Sequence, residues 1–208
     1  MAPLVLILIS SASDPADAGP EAGPPMPSLS PDLVRSLAEI EEYRRDVDRV
    51  AMVTLGIWSA GNLAVGLVGD LGGDEDDAAR YFHQMNWMWG AVNGVISGFG
   101  LASAFGGELE TDWAKAVSKA RTTELVFLVN GVLDLSYMAV GAWLWERGLR
   151  TDEVILEGYG QSLVMQGAFL FVFDWVLFGV RRGVTGSLEG LPIRLVPTPT
   201  GASLVGRF

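Results

Sequence analysis

Cysteine is missing from this sequence, and histidine occurs once, at position 83. Without a thiol, the chain forms no disulfide and offers no thiolate for catalysis, for an iron–sulfur cluster or for a cysteine-type zinc site. With His83 alone, it also lacks the paired histidines of many metal motifs and of a haem held by two histidines of one chain. No complete catalytic motif is present, and we predict no metal site.

Basic residues are also scarce. The 208 residues include 14 Lys and Arg against 25 Asp and Glu, which gives a formal net charge of −11. A nucleic-acid-binding surface needs clustered Lys and Arg to neutralise phosphates. We therefore predict that nucleic acid is not a partner of this chain.

Apolar residues make up half of the composition, and most of them lie in four runs without Lys or Arg. At about 1.5 Å of rise per residue, a helix of about 20 residues crosses the ~30 Å hydrocarbon layer of a bilayer. The sequence predicts an all-α membrane protein, with a four-transmembrane-helix bundle over residues 50–182 in contact with the lipid bilayer. A soluble four-helix bundle is the alternative, but its helices would carry a charged outer face at helical spacing. The predicted spans are Val50–Val68, Tyr81–Phe105, Glu124–Trp145 and Tyr159–Val180.

The segments that flank the bundle have a different composition. Residues 1–30 combine a short apolar run with Pro, Gly, Ala and Asp, so we predict a disordered or signal-like N-terminal segment. Ser30-Pro31 is typical of a helix start, and the apolar residues that follow recur at helical spacing among charges. We therefore predict an amphipathic interfacial helix over residues 31–49. Pro and Gly interrupt residues 183–208, which predicts an extended C-terminal tail.

Polar side chains within the predicted spans are the best candidates for function, because polarity is costly there. Asp134 is the sharpest signal, since a central aspartate costs roughly 2.5–3.5 kcal/mol to insert and no span contains a basic residue. It should be protonated, hydrated or held by amides such as Asn93 and Asn130. A glycine ridge on the second span would allow a neighbouring helix to approach closely. The candidate intramembrane residues are Asn62, His83, Asn86, Asn93, Asn130, Asp134, Gln166 and Asp174, and the ridge is Gly90, Gly94 and Gly98.

Two interpretations of these residues stay open. The amides and carboxyls either join helices by hydrogen bonds, or Asp134 and Asp174 form part of a proton or ion pathway. His83 near a span end is either an interfacial ring or the single axial ligand of a haem or chlorin. No cofactor is required by the sequence.

Four strings in the chain resemble those of an uncharacterised family of small bacterial membrane proteins with four helices. The resemblance covers about residues 32–182 and implies the four-helix architecture, while it implies no activity. The strings are Trp58-Ser-Ala-Gly-Asn62, Tyr81-Phe-His-Gln-Met-Asn86, Leu133-Asp-Leu-Ser-Tyr-Met138 and Gly160-Gln-Ser-Leu-Val-Met-Gln-Gly-Ala-Phe-Leu-Phe-Val-Phe-Asp174.

Basic residues near the span ends predict the orientation. More of them fall on the side of the two termini, so we predict a bacterial inner-membrane protein with both termini cytoplasmic. That side carries Arg44, Arg45, Arg49, Lys115, Lys119, Arg121, Arg181 and Arg182, and the other side carries Arg80, Arg147 and Arg150.

Three functional hypotheses follow from the sequence. The leading one is a non-catalytic accessory or assembly subunit of a larger membrane complex, such as a respiratory or photosynthetic one, with other membrane subunits or further copies of itself as partners. The second is a small transporter or proton-conducting bundle that uses Asp134 and Asp174. The third is a binder of a pigment or lipid cofactor that uses His83.

Overall fold

The computed structural model describes residues 30–74, 77–191, 193–198 and 201–206. The predicted disordered or signal-like segment, apart from residue 30, lies outside the described residues. Four helices are present in the described part, and each is long and apolar enough to cross a membrane. This confirms the predicted four-helix, all-α architecture. The elements are α1 Pro31–Gly72, α2 Ala78–Gly106, α3 Trp113–Thr151 and α4 Val154–Gly190, followed by an antiparallel pair of short strands, β1 Ile193–Thr198 and β2 Gly201–Gly206.

The helix starts follow from capping residues. Ser30 caps α1 as predicted, with its hydroxyl oxygen accepting a hydrogen bond from the Leu33 amide at 3.4 Å and proline in the first turn. Asp112 caps α3, because its carboxylate accepts from the amides of Ala114 and Lys115 at 2.9 and 3.2 Å. Such caps satisfy amide groups that have no partner within the helix. α3 ends at Thr151. The next residue, Asp152, caps the helix in a left-handed conformation with φ of 52°, so the chain can turn back directly into α4.

The helices form two antiparallel hairpins, α1–α2 and α3–α4, and α2 packs on α4 between them. Glycines allow the closest approaches within each hairpin. A Cβ added to Gly90 would lie 2.9 Å from the carbonyl oxygen of Ser59 on α1, and one added to Gly141 would lie 2.8 Å from the amide nitrogen of Val164 on α4. The two helices of each hairpin are therefore in backbone contact. The face of α2 that carries Asn86 lies against α4.

The structure does not support a separate interfacial helix over residues 31–49. Residues 31–49 are the first part of one continuous helix, α1, and their apolar stripe packs on protein. Leu37, 2% exposed, belongs to a core with residues of α3 and α4. The other buried members of that core are Ala116, Val117, Ala120, Val184 and Leu188.

The predicted extended tail over residues 183–208 starts later in the structure than predicted. α4 continues to Gly190, and the two strands follow it. The ends of three helices therefore project beyond the predicted spans and pack together. We call this part the helical extension: residues 31–49 of α1, 113–123 of α3 and 181–190 of α4.

A group of four charged residues, three of them buried, joins α1 to α4 within the helical extension. Glu41 is fully buried, and its carboxylate accepts hydrogen bonds from Arg44 Nε at 3.0 Å and Nη2 at 2.7 Å. Asp48 accepts from Arg44 Nη1 at 3.2 Å and also from Arg181 of α4. Burial, and then the charge of Arg44, lowers the pKa of Arg181 to about 10. Arg181 therefore stays protonated at neutral pH. The group combines two basic and two acidic side chains, which explains how these residues are tolerated inside the helical extension.

Candidate functional site

Gln166 lies at the centre of the largest polar network within the apolar helices. It projects from α4 and is fully buried. Its Oε1 accepts a hydrogen bond from Trp58 Nε1 of α1 at 2.9 Å. Its Nε2 donates to Asn62 Oδ1 of α1 at 2.6 Å and to Asn86 Oδ1 of α2 at 3.2 Å. One side chain thus joins three helices.

Ser162 completes this network one turn before Gln166. Its hydroxyl donates to Asn86 Oδ1 at 2.5 Å. The spacing of four residues between Ser162 and Gln166, and between Trp58 and Asn62, places each pair on one face of its helix. We call these five residues, Trp58, Asn62, Asn86, Ser162 and Gln166, the amide cluster.

The direction of every hydrogen bond in the amide cluster follows from Trp58. An indole nitrogen only donates, so Gln166 must turn its oxygen toward Trp58 and its nitrogen toward Asn62 and Asn86. Those two asparagines must then present their oxygens to Gln166. The remaining amide nitrogens point away from Gln166: that of Asn62 donates one hydrogen to the Trp58 carbonyl oxygen at 2.8 Å, and that of Asn86 has no partner in the described part of the chain.

A lateral groove of about 490 Å³ opens beside the amide cluster, between α1, α2 and α4. Its wall is apolar and includes Phe82 and Phe169, while Asn62 and Asn86 contribute polar groups. Trp58 and Phe169 stack with ring centroids 3.9 Å apart and planes 7° apart, which makes a flat surface on one side. The groove therefore combines a hydrocarbon-like wall with hydrogen-bond donors.

The two aspartates predicted as chemical candidates form a separate pair. Asp134 of α3 and Asp174 of α4 are 3% and 5% exposed, and their carboxyl groups lie close enough to interact. A hydrogen bond between two carboxyl groups requires one of them to carry a proton. Among the described residues, neither Asn93 nor Asn130 hydrogen-bonds to Asp134. Asn93 is buried with its Nδ2 unpaired, and Asn130 is half-buried.

His83 lies apart from both groups. Its ring packs against Gly69 of α1 and meets Phe82 edge-on at 5.3 Å between centroids. Its Nδ1 is buried and has no hydrogen-bond partner in the part of the chain that the structure describes. No group of three His, Asp or Glu side chains in that part could hold a metal ion.

Two of the three glycines in the predicted ridge contact α1. Gly90 and Gly94 face Ser59 of α1, whereas a Cβ on Gly98 would meet nothing within 4 Å. Ser59 strengthens this contact, because its hydroxyl donates to the Gly90 carbonyl oxygen at 2.7 Å.

The sequence named Asn62, Asn86 and Gln166 as candidate polar residues of three different spans, and the structure brings them together. It missed Trp58 and Ser162 as their partners. Their spacing of four from Asn62 and Gln166 is the signal that would have found them.

The fold and the amide cluster define a class of four-helix proteins whose buried polar groups tie apolar helices together. The chain belongs to a family of unknown function, DUF6992, whose family model matches residues 54–175. This confirms the predicted membership of an uncharacterised family, and the matched range contains the whole amide cluster and both aspartates. No curated protein and no solved structure matches the chain.

Proposed function

We propose that this protein spans a bacterial inner membrane with four helices and acts there without catalysis, as an accessory or assembly subunit of a larger membrane complex. The observation that carries the proposal is how the amide cluster uses its polar groups. They bind one another across three helices, so they serve packing. Ser162 donates to an amide oxygen, which is too weak a base to activate a hydroxyl for nucleophilic attack.

The outer faces of the helices support an assembly role. In each apolar window, between 17% and 28% of the residues are buried within the chain. Large apolar side chains such as Ile57, Phe99 and Val172 are 62–71% exposed. In a membrane these faces contact lipid or neighbouring helices, and small residues and aromatic rings suit helix association.

The orientation proposed is with both termini in the cytoplasm. The helical extension lies at the end of the molecule where most basic residues cluster, as the positive-inside rule requires. Its surface then faces the cytoplasm, where a soluble domain of the complex could contact it.

Native electrophoresis tests the assembly role. Membranes solubilised in digitonin should give the protein in a band well above its own mass of 22.3 kDa, and mass spectrometry of that band should find the same partner subunits in fixed ratio. Migration as a lone monomer with no co-purifying protein, in digitonin and in intact-membrane crosslinking alike, would overturn the proposal.

A second candidate, a proton-conducting bundle, is favoured by the contact between Asp134 and Asp174. A carboxyl pair that shares a proton is a plausible relay element inside a membrane. Asp174→Asn keeps a hydrogen bond to Asp134 but removes the shared proton, so flux in proteoliposomes should fall to background. Asp152→Asn, in the exposed turn between α3 and α4, is the matched control and should conduct normally. Equal flux in both variants would reject this candidate.

The third hypothesis, axial ligation of a haem or chlorin by His83, is tested by absorption spectroscopy. The packing of the ring against Gly69 leaves one face of His83 occupied by protein. A visible band that is lost in His83→Ala would support ligation, and a colourless preparation from native membranes would exclude it.

A further inference from the structure

We infer that the lateral groove beside the amide cluster is a binding site for a neutral lipid that carries a hydrogen-bond-accepting carbonyl group on a hydrocarbon chain. The inference does not depend on the assembly role. It concerns a ligand of the single chain, and it rests on the polarity of the amide cluster and on the composition of the groove.

The amide cluster uses all of its amide oxygens internally. Gln166 Oε1 accepts from Trp58, and the oxygens of Asn62 and Asn86 accept from Gln166. The groove therefore meets amide nitrogens: both hydrogens of Asn86 Nδ2 and the second hydrogen of Asn62 Nδ2. Asn86 is 97% buried, being 3% exposed, and it lines the groove. A donor that faces an apolar groove without a protein partner is costly in a hydrocarbon environment, and a ligand oxygen would satisfy it.

The wall of the groove selects against charged ligands. None of the ten residues that line it is ionisable. A cation would find no carboxylate and an anion no Lys or Arg, so a charged group placed there would remain uncompensated. A neutral acceptor such as a ketone, quinone or ester carbonyl fits the donors without this cost.

The size and shape of the groove suit one hydrocarbon chain. A volume of about 490 Å³ lies within the range of roughly 300–1,000 Å³ found for small-molecule sites. The groove opens sideways between helices, so a lipid could enter from the bilayer. The stacked rings of Trp58 and Phe169 form a flat wall against which a planar carbonyl group could lie.

Gly61 offers a way to close the groove without disturbing the fold. It lines the groove, and a Cβ at this position would meet nothing within 4 Å. Gly61→Leu therefore fills the groove, and leucine favours a helix more than glycine does. Gly98 is also open around its Cβ position but lies outside the groove lining, so Gly98→Leu is the matched control.

Native mass spectrometry of the detergent-solubilised chain, titrated with three probes, tests the inference. The probes are decylubiquinone, monoolein and undecylbenzene, which differ in carbonyl type or lack a carbonyl. We expect one bound molecule of decylubiquinone or monoolein per chain, at least tenfold tighter than undecylbenzene. Tighter binding of decylubiquinone would identify a ring carbonyl as the preferred group, and tighter binding of monoolein would identify an ester carbonyl.

The variants decide whether this binding is in the groove. Gly61→Leu should weaken carbonyl-probe binding at least tenfold, while Gly98→Leu should bind like the unmodified chain. Asn86→Leu should weaken binding of the carbonyl probes relative to undecylbenzene, because it removes two of the three donor hydrogens that meet the groove. Failure of both carbonyl probes to bind, equal binding of undecylbenzene to the unmodified chain, or unchanged binding in Gly61→Leu would each overturn the inference.

Discussion

Gln166→Met tests the amide cluster directly, because methionine keeps the length and unbranched shape of glutamine but has no amide. The substitution removes three interhelical hydrogen bonds, of 2.9, 2.6 and 3.2 Å. Interhelical hydrogen bonds in membrane proteins contribute about 0.6 kcal/mol on average and up to about 1.7 kcal/mol. We therefore expect a loss of about 2 kcal/mol in the free energy of unfolding, with up to about 5 kcal/mol as the upper bound.

The assay is reversible unfolding in mixed micelles, with SDS as denaturant and helix content followed by circular dichroism. Gln161→Met is the matched control. That residue is also on α4 and makes one hydrogen bond, to Glu157 of the same helix at 3.2 Å, so the same substitution should cost less than about 0.5 kcal/mol. If Gln166→Met destabilises no more than Gln161→Met, the amide cluster does not tie the helices together and the reasoning is refuted.

Four further substitutions test other contacts by the same unfolding measurement. Glu41→Leu should cost about 3 kcal/mol, because it leaves the buried Arg44 without its two-point partner; a neutral result would mean that the buried charges do not stabilise the helical extension. Gly141→Ala should destabilise the protein, since the new Cβ would lie 2.8 Å from a backbone nitrogen of α4. Gly98→Ala should stabilise it by up to about 1 kcal/mol, because the new Cβ meets nothing within 4 Å and alanine favours a helix. If Gly98→Ala were the less stable of the two variants, the packing described for these glycines would be contradicted. Trp58→Phe keeps an aromatic ring for stacking but removes one donor, so it should cost about 0.6 kcal/mol, and a cost above 2 kcal/mol would show a larger role for the indole.

The four long apolar runs could be predicted because a helix in lipid must be apolar over most of its length. The helix ends could not be predicted in the same way. The apolar run of α1 starts at Val50, directly after Arg49, and the apolar run of α4 stops at Val180, directly before Arg181. The helices continue because Glu41, Arg44 and Arg181 are paired with opposite charges inside the helical extension. The Glu41–Arg44 pair lies within α1 at a spacing of three residues, but Arg181 pairs with Asp48 on a helix distant in sequence, and no local pattern reveals that contact.

The residues of the candidate site could be predicted more easily than their contacts. The sequence named Asn62, Asn86 and Gln166 as polar residues of three different spans, and the structure brings them into contact. The sequence also named Asn93 among the possible partners of Asp134, but Asn93 Nδ2 has no hydrogen-bond partner among the described residues. Which helices are neighbours is decided by close glycine contacts across each hairpin, and a single sequence does not specify those pairings.

Labelling of single cysteines tests the central claim, that four helices cross a membrane with the amide cluster inside. The chain contains no cysteine, so each introduced thiol reports without background. Val132 of α3 is 53% exposed in the middle of a predicted span, while Lys119 and Asp152 are exposed near its two ends. A membrane-impermeant maleimide should label Lys119→Cys in inside-out vesicles and Asp152→Cys in right-side-out vesicles, and should label Val132→Cys in neither. Labelling of Val132→Cys in intact vesicles as fast as Asp152→Cys would contradict the account.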